Sequence, residues 1–362
     1  MILYISYIDD PKFHAGVWKK MNGQLRALKK SFSNGALTFF YNQVAYLWDG
    51  EKIIDSHVAL HRNDYLEILK AWISAFRVQR VYIRYFLSDL FFIELLRFLK
   101  NNSIKSVLEI ATFPYDSEFR FSAKKYEDEL YRKYIVNYID RIVTYSNDQT
   151  IWGIKCINLS NGFDVFGIKM INRKRNLHSL NLLAVSLMFS WHGYERLIVG
   201  LYNYYRQNVA RRILISFVGT GVQEGYYKSL TEQYNLESYI TFYGNQRGKL
   251  LEEIYAKADV GIGSLGFYKQ HGNIGSTLKM GEYCAHGLPA VCGYHDTRFP
   301  ENTPFILQVP NDPSPLDIQS IVDFYDSLAQ DEEFSNKIRK YAENHLSWEQ
   351  IMRPVIEYLN DE

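Results

Sequence analysis

Between Asp259 and Pro289 an apolar run ending at Gly263 passes into a glycine-rich loop, Gly263-Ser-Leu-Gly-Phe-Tyr-Lys-Gln-His-Gly-Asn-Ile-Gly275, and then into a helical pattern opening near Ser276. A helix entered through glycines presents free backbone N–H groups and the positive end of its dipole, which suits a diphosphate. Gly275, Ser276, Thr277 and Leu278 fall at that entrance, and Lys279 adds a positive charge. Glu282, set in the largely apolar stretch 278–288, can accept two hydrogen bonds from a vicinal diol such as a ribose. The plainer reading is a helix glutamate paired to Lys279. Loop, lysine and carboxylate together point to a nucleoside-diphosphate site.

Other residues could serve the same chemistry. Lys269 is a second cation in the loop, and His192 lies in Met188-Phe-Ser-Trp-His-Gly193, after the apolar run 181–187. A diphosphate leaving group develops negative charge as its bond breaks, so positioned cations lower the barrier. A histidine can donate a hydrogen bond or, with a raised pKa, carry charge; its alternative is a solvent-exposed helix-end histidine. Gly219 and Gly221 end the run Ile213–Val218, where they bring backbone close to a nucleotide or merely turn the chain. Arg247 follows the run 240–244 and reads as a ligand contact or a surface arginine. In the first half, Glu109, Thr112 and Tyr115 cluster at the end of a strand pattern, and Arg84 ends another. Glu109 would be the natural general base for an acceptor hydroxyl in an inverting reaction, and otherwise an acceptor-side or structural group. No Asp-x-Asp loop stands at the diphosphate site, and the helix dipole and basic side chains can neutralise the phosphates, so neither metal nor cofactor is expected.

The elements that must position these residues alternate. Strand patterns at 2–8, 36–41, 81–85, 106–110 and 141–145 interleave with helical ones at 16–30, 63–77, 87–100 and 123–138. A second alternating series runs from Asn181 to Val291, and the chain beyond Pro310 is helical in pattern, over 318–328, 334–341 and 348–359. Such alternation predicts parallel sheets covered by helices on both faces, with ligands outside the carboxyl ends of the strands. The polar, basic stretch 169–178 marks the domain boundary.

Composition narrows the partners. The 41 Lys plus Arg against 40 Asp plus Glu leave a net charge of +1, which argues against nucleic acid. Three cysteines form neither a disulfide framework nor metal-ligand spacing, and the chain suits a reducing, cytoplasmic compartment. Met1–Ile8 lacks a basic leader, and no apolar run spans a bilayer. The first helix is basic, with Lys19, Lys20, Arg26, Lys29 and Lys30, and Phe13 and Trp18 lie close by. It is either a solvated face or a peripheral contact with an anionic inner leaflet.

These motifs, in this order, resemble the GT-B glycosyltransferases, particularly family 4 of the retaining enzymes and members from bacterial surface-polysaccharide pathways. Gly275, Ser276, Leu278-Lys279, Glu282-Tyr283 and Ala285-His-Gly-Leu-Pro289 resemble their nucleotide-binding block. Asn181–Leu187 with Trp191–Ile198 resembles the opening strand, loop and helix of that domain, Phe217–Gly221 its second strand and Ile240–Gly244 its third; Val107–Asp116 and Asn161-Gly162 are similar upstream. The resemblance implies an α/β fold of two doubly wound Rossmann-like domains facing across a cleft. Residues 1–172 would form the acceptor side, with 348–362 packing back on it, and 173–347 the nucleotide-sugar side. It implies retaining, metal-independent transfer of a sugar from a UDP-sugar donor to a carbohydrate or lipid-linked glycan. It places His14 and Gly16 near the donor phosphates, His192 where a lysine is common, Arg247 near the base, and Arg84, Thr112 and Tyr115 toward the acceptor. Family members usually carry a pair of glutamates around the donor loop; Glu282 matches the second, and Ile274 stands at the first. A sugar-nucleotide epimerase of the same architecture and a non-catalytic partner subunit stay open as alternatives.

Overall fold

The computed structural model describes residues 1–7, 15–115, 123–171, 178–207, 209, 211–269 and 272–361. They divide into two compact units, Met1–Gly162 with Trp348–Glu362, and Phe163–Ser347. The change of unit falls at Gly162/Phe163, earlier than the 172/173 boundary read from the polar stretch.

The first unit is built on one sheet of nine strands. In chain order these are β1 (Ile2–Ile5), β2 (Gly35–Tyr41), β3 (Val44–Trp48), β4 (Ile53–Val58), β5 (Arg80–Arg84), β6 (Lys105–Ile110), β7 (Ile142–Thr144), β8 (Thr150–Ile151) and β9 (Ile154–Asn158). They lie in the order β4-β3-β2-β1-β5-β6-β7-β9-β8. The middle strands are parallel, and their near-continuous burial is what a sheet covered on both faces requires. Helices α1 (Ala15–Phe32), α2 (Arg62–Ala75), α3 (Leu90–Asn101) and α4 (Ala123–Tyr131) make the crossovers. A 3₁₀ segment, Arg132–Asn137, replaces the second half of the helix expected to reach Tyr138.

Strand β2 matches the pattern at 36–41, but β3 and β4, which pair antiparallel beside it, depart from the expected alternation; the first turn, between β2 and β3, shows why. Asn42 and Gln43 both take left-handed φ, 48° and 59°, so the turn is the mirror-image kind that matches strand twist. Neither residue is glycine, and the usual hairpin signal is therefore missing.

The second unit carries six parallel strands, β10 (Ser179–Val185), β11 (Arg212–Val218), β12 (Ile240–Phe242), β13 (Val260–Ile262), β15 (Ala290–Cys292) and β17 (Ile306–Gln308), with a short side pair of β14 (Ile274–Gly275) and β16 (His295–Asp296). The sheet order β12-β11-β10-β13-β15-β17 is the doubly wound dinucleotide-binding order, with its switch point between β10 and β13. Helices α5 (Glu195–Tyr205), α6 (Glu224–Gln233), α7 (Gly248–Lys257), α8 (Leu278–Ala285), α9 (Ile318–Leu328) and α10 (Phe334–His345) cover it. Helix α8 starts two residues beyond the expected Ser276.

The chain then returns to the first unit through α11 (Trp348–Ile351) and α12 (Arg353–Asn360), where Pro354 starts a new helix rather than continuing the old one. Trp348, Met352, Val355 and Leu359 are buried with Met21, Leu25 and Leu28 of α1. A Cβ added at Gly23 would lie 2.0 Å from the Trp348 ring and one at Gly162 2.5 Å, so both glycines exist to admit the indole. Among the described residues no helix is long and apolar enough to cross a membrane.

Candidate functional site

In the second unit the switch point separates the loop after β10 from the loop after β13, and glycines let the two close on each other. Gly193, at φ 63°, has no room for a side chain: its Cβ would lie 2.4 Å from the Gly266 nitrogen. Leu265 N–H donates to the His192 carbonyl at 2.8 Å and Gly266 N–H to the Trp191 carbonyl at 3.2 Å. Gly219, at φ 112°, would put a Cβ 1.9 Å from the Ser186 carbonyl oxygen, and Gly221 meets Met188 backbone. Packing of loop on loop therefore accounts for Gly219 and Gly221. Ser264, in the second loop, is buried, and its hydroxyl has no hydrogen-bond partner among the described residues.

His192 is brought to this place by a 3₁₀ turn, Ser190–His192, and is buried rather than solvent-exposed. Its Nδ1 accepts from Phe189 N–H at 3.0 Å, which leaves Nε2 as the hydrogen-bearing nitrogen of the neutral ring. The imidazole lies against Tyr194, ring centres 5.5 Å apart. At the hydroxyl end of Tyr194 stands Lys279, its ammonium 3.4 Å from the phenol oxygen and 5.8 Å from the ring centre. His192 and Lys279, far apart in sequence, thus share one tyrosine.

Lys279 is the second residue of α8. The residue is half-buried, its ammonium beside the buried Tyr194, and no carboxylate among the described residues lies within ion-pair distance. Burial with nothing to offset it lowers the pKa from 10.5 to about 7. The expected pairing with Glu282 is not made. The helix entrance is held from outside. Thr277, at the N-cap, turns its hydroxyl to Tyr294 at 2.6 Å instead of capping the helix, and its carbonyl accepts from Arg298 at 2.6 Å. Arg298 is fixed by a buried pair with Asp296, also at 2.6 Å. Gly275 and Ser276 are half-buried beside it, and Leu278 and Ile274 stand exposed. Asp296 and Arg298 were not singled out from sequence, although Asp296-Thr-Arg298 is visible there.

Glu282, half-buried, lies on the side of α8 nearer α7. It faces Tyr255, whose hydroxyl is pushed well above its ordinary pKa by burial and then by the Glu282 charge. Lys269 is already engaged, ion-paired with Glu195 at the start of α5. Arg247 is exposed at the N-cap of α7. Gly16 is exposed at the start of α1 with open space where a Cβ would be, and His14 lies outside the described residues.

The first unit holds a recess of about 590 Å³ at the carboxyl ends of β1, β5 and β6. Arg84, Thr112 and Tyr115 line it with Tyr7 and Phe86, so three of the residues expected on the acceptor side are gathered in one place. Tyr115 donates to the buried Asp128 at 2.6 Å.

Beneath the recess Glu109 requires a correction. It is fully buried and accepts from Tyr82 at 2.9 Å, Tyr4 and Gln24 at 3.2 Å each, and Arg84 at 2.9 Å, with Lys20 at 3.2 Å. Burial raises its pKa, but Lys20 and Arg84 outweigh this and hold it at about 2. A saturated carboxylate of that acidity has no capacity to take a proton, so the general-base reading fails. Lys20 leaves the basic face for the same reason, and Lys29 donates to the Asp49 carbonyl. Lys19, Arg26 and Lys30 remain as the exposed stripe of α1.

No protein-family model matches the chain, and no curated protein matches it in sequence. Solved structures do match in fold. Sucrose-phosphate synthase from Thermosynechococcus elongatus aligns at 15% identity over 98% of this chain and 97% of that one, with a TM-score of 0.58. A glycosyltransferase from Rickettsia africae aligns at 13% over 100% and 99%, TM-score 0.60. Anabaena HepE, solved in complex with UDP, aligns at 13% over 99% of each chain, TM-score 0.60. The chain has the GT-B fold of these structures.

Proposed function

We propose that the protein is a glycosyltransferase of the family-4-like, retaining kind, moving a sugar from a nucleoside-diphosphate donor to a glycan or lipid-linked acceptor in bacterial polysaccharide biosynthesis. The observation that carries the reading is Lys279: an ammonium without a carboxylate, at the positive end of α8, at the switch point where this fold takes ligands. An unpaired cation held in place against its own desolvation is what a diphosphate would repay. The complex of HepE with UDP favours uridine as the nucleoside. In this reading Lys279 and His192 Nε2–H meet the leaving phosphate, and the N–H groups at Ser276, Thr277 and Leu278 receive its oxygens. Gly275 lets that backbone approach, while Gly219 and Gly221 let the loop after β11 close on the β10 loop that carries His192; Lys269, released from Glu195, adds charge. Glu282 holds the ribose and Arg247 flanks the base. No metal or cofactor is required, because helix dipole and cations neutralise the diphosphate. Arg84, Thr112 and Tyr115 belong to the acceptor recess, and Lys19, Arg26 and Lys30 to a contact with an anionic inner leaflet.

Calorimetric titration with UDP in buffers of different ionisation enthalpy tests this. A diphosphate raises the Lys279 pKa, so binding at pH 8 should take up protons, and Lys279→Met should abolish the uptake. Binding without proton uptake would remove Lys279 from the phosphate. The exposed Ile274 at the place of a family glutamate favours one rival, a non-catalytic nucleotide-binding subunit. Acceptor-stimulated UDP release from a panel of UDP-sugars excludes it; binding without turnover would establish it.

A further inference from the structure

The outermost strand of the first unit's sheet, β4, has no neighbour on its far side among the described residues. Sheet edges are ordinarily blunted by lysine, proline or a short strand, because a free edge recruits another strand. β4 is six residues, Ile53-Ile-Asp-Ser-His-Val58, with neither lysine nor proline. Ile53, Ile54 and Val58 are 52%, 38% and 70% exposed, and Leu60 just beyond is 58% exposed. Ala59 N–H donates inward to the Gln43 carbonyl at 2.8 Å. By alternation Ser56 and Val58 point their backbone groups outward, to the open edge. Ser56 N–H is held in the meantime by the Asp55 carboxylate at 2.8 Å.

The side chains of this edge are their own complement. Read forward and backward about Ser56, the strand sets Ile54 against Val58, Asp55 against His57 and serine against serine. Centring the pair on Asp55 or on His57 would instead put like groups opposite each other. Within one chain Asp55 and His57 already lie 3.1 Å apart, both partly exposed. An antiparallel second copy would join two such pairs into one alternating cluster on one face, with the Ile54–Val58 aliphatic pairs on the other. That is the self-matching arrangement a two-fold interface needs.

We propose that β4 pairs with β4 of a second copy of this chain, antiparallel about Ser56, so that the two sheets become continuous. The strand pair alone buries less than the roughly 1,000 Å² of a firm interface, so the dimer dissociates in the micromolar range.

Sedimentation velocity from low-micromolar to near-millimolar protein should show a concentration-dependent dimer. Val58→Lys, at an exposed site, should weaken it at least about tenfold and leave the thermal midpoint unchanged. Facing residues of an antiparallel pair have Cα atoms about 5.5 Å apart, within disulfide reach. With the half-buried Cys156 replaced by serine, Ser56→Cys should therefore cross-link to its own copy on mild oxidation. Lys52→Cys, remote from its counterpart in this register, should not. A monomer at every concentration would overturn the proposal and leave the edge to some other occupant. So would a dimer indifferent to Val58→Lys, or cross-linking as efficient through Lys52→Cys.

Discussion

Lys20 and Lys279 are both lysines held below the ordinary range, at about 8 and about 7, and burial is the leading cause for each. Their surroundings differ in one respect. Lys20 has the Glu109 carboxylate at 3.2 Å, with Arg84 and a ring of tyrosine hydroxyls completing the cluster. Lys279 has a neutral phenol. A buried cation whose charge is answered inside the protein belongs to the framework, and one left unanswered is available to something that arrives. The same contrast separates Glu109, closed off by its donors, from Glu282, half-open beside a tyrosine.

The hub offers the largest test of this difference. Glu109→Ala leaves Lys20 and Arg84 buried without an anion and should destabilise the fold by about 3–5 kcal/mol in denaturant titration. The native carboxyl is more acidic than the unfolded one, so its contribution is complete above about pH 4.5 and disappears as pH falls toward 2. The alanine variant should lack that acid limb. A loss under about 1 kcal/mol would mean the hub is not framework.

Lys279→Met should act oppositely. Turnover of a UDP-sugar should fall by about 100- to 1,000-fold, chiefly in kcat, because leaving-group charge grows toward the transition state. The melting temperature should hold or rise. A stability loss instead would put Lys279 in the same class as Lys20. Glu282→Ala should lower donor kcat/KM by about 100-fold, the loss of two hydrogen bonds to a charged group. Unchanged donor kinetics in a folded protein would sink the ribose contact.

The smallest effect is a stability slope. Between pH 7 and 10.5 the unfolded chain binds a proton on Lys279 that the native state gives up, so stability should increase with pH across that window. Allowing for partial exposure, the gain should be about 1–2 kcal/mol, and Lys279→Met should flatten it.

The element that carries Lys279 and Glu282 was legible because glycines, a lysine and a glutamate at helical spacing carry their geometry locally. Hence α8, the β10 and β13 loops and the place of Lys279 could be foreseen. What could not be foreseen depended on distant partners. Glu109 reads as a strand-end carboxylate whether it opens to solvent or closes on Lys20, and Lys20 reads as one more charge on a basic helix. The two are paired only because β6 lies beside β5, and β5 beside β1, under α1. The β2–β3 hairpin is not legible in the sequence because its turn uses Asn42-Gln43 without glycine.

Trp348, seated between Gly23 and Gly162, makes the first unit a split one, since α11 and α12 supply part of its core. During synthesis that core stays unfinished until the whole second unit has left the ribosome. The later-made unit can thus mature first, while in the earlier one Met21, Leu25 and Leu28 lack the cover that Trp348, Met352, Val355 and Leu359 provide. A nascent chain of this protein therefore carries an incomplete core at its beginning until its last helices are made.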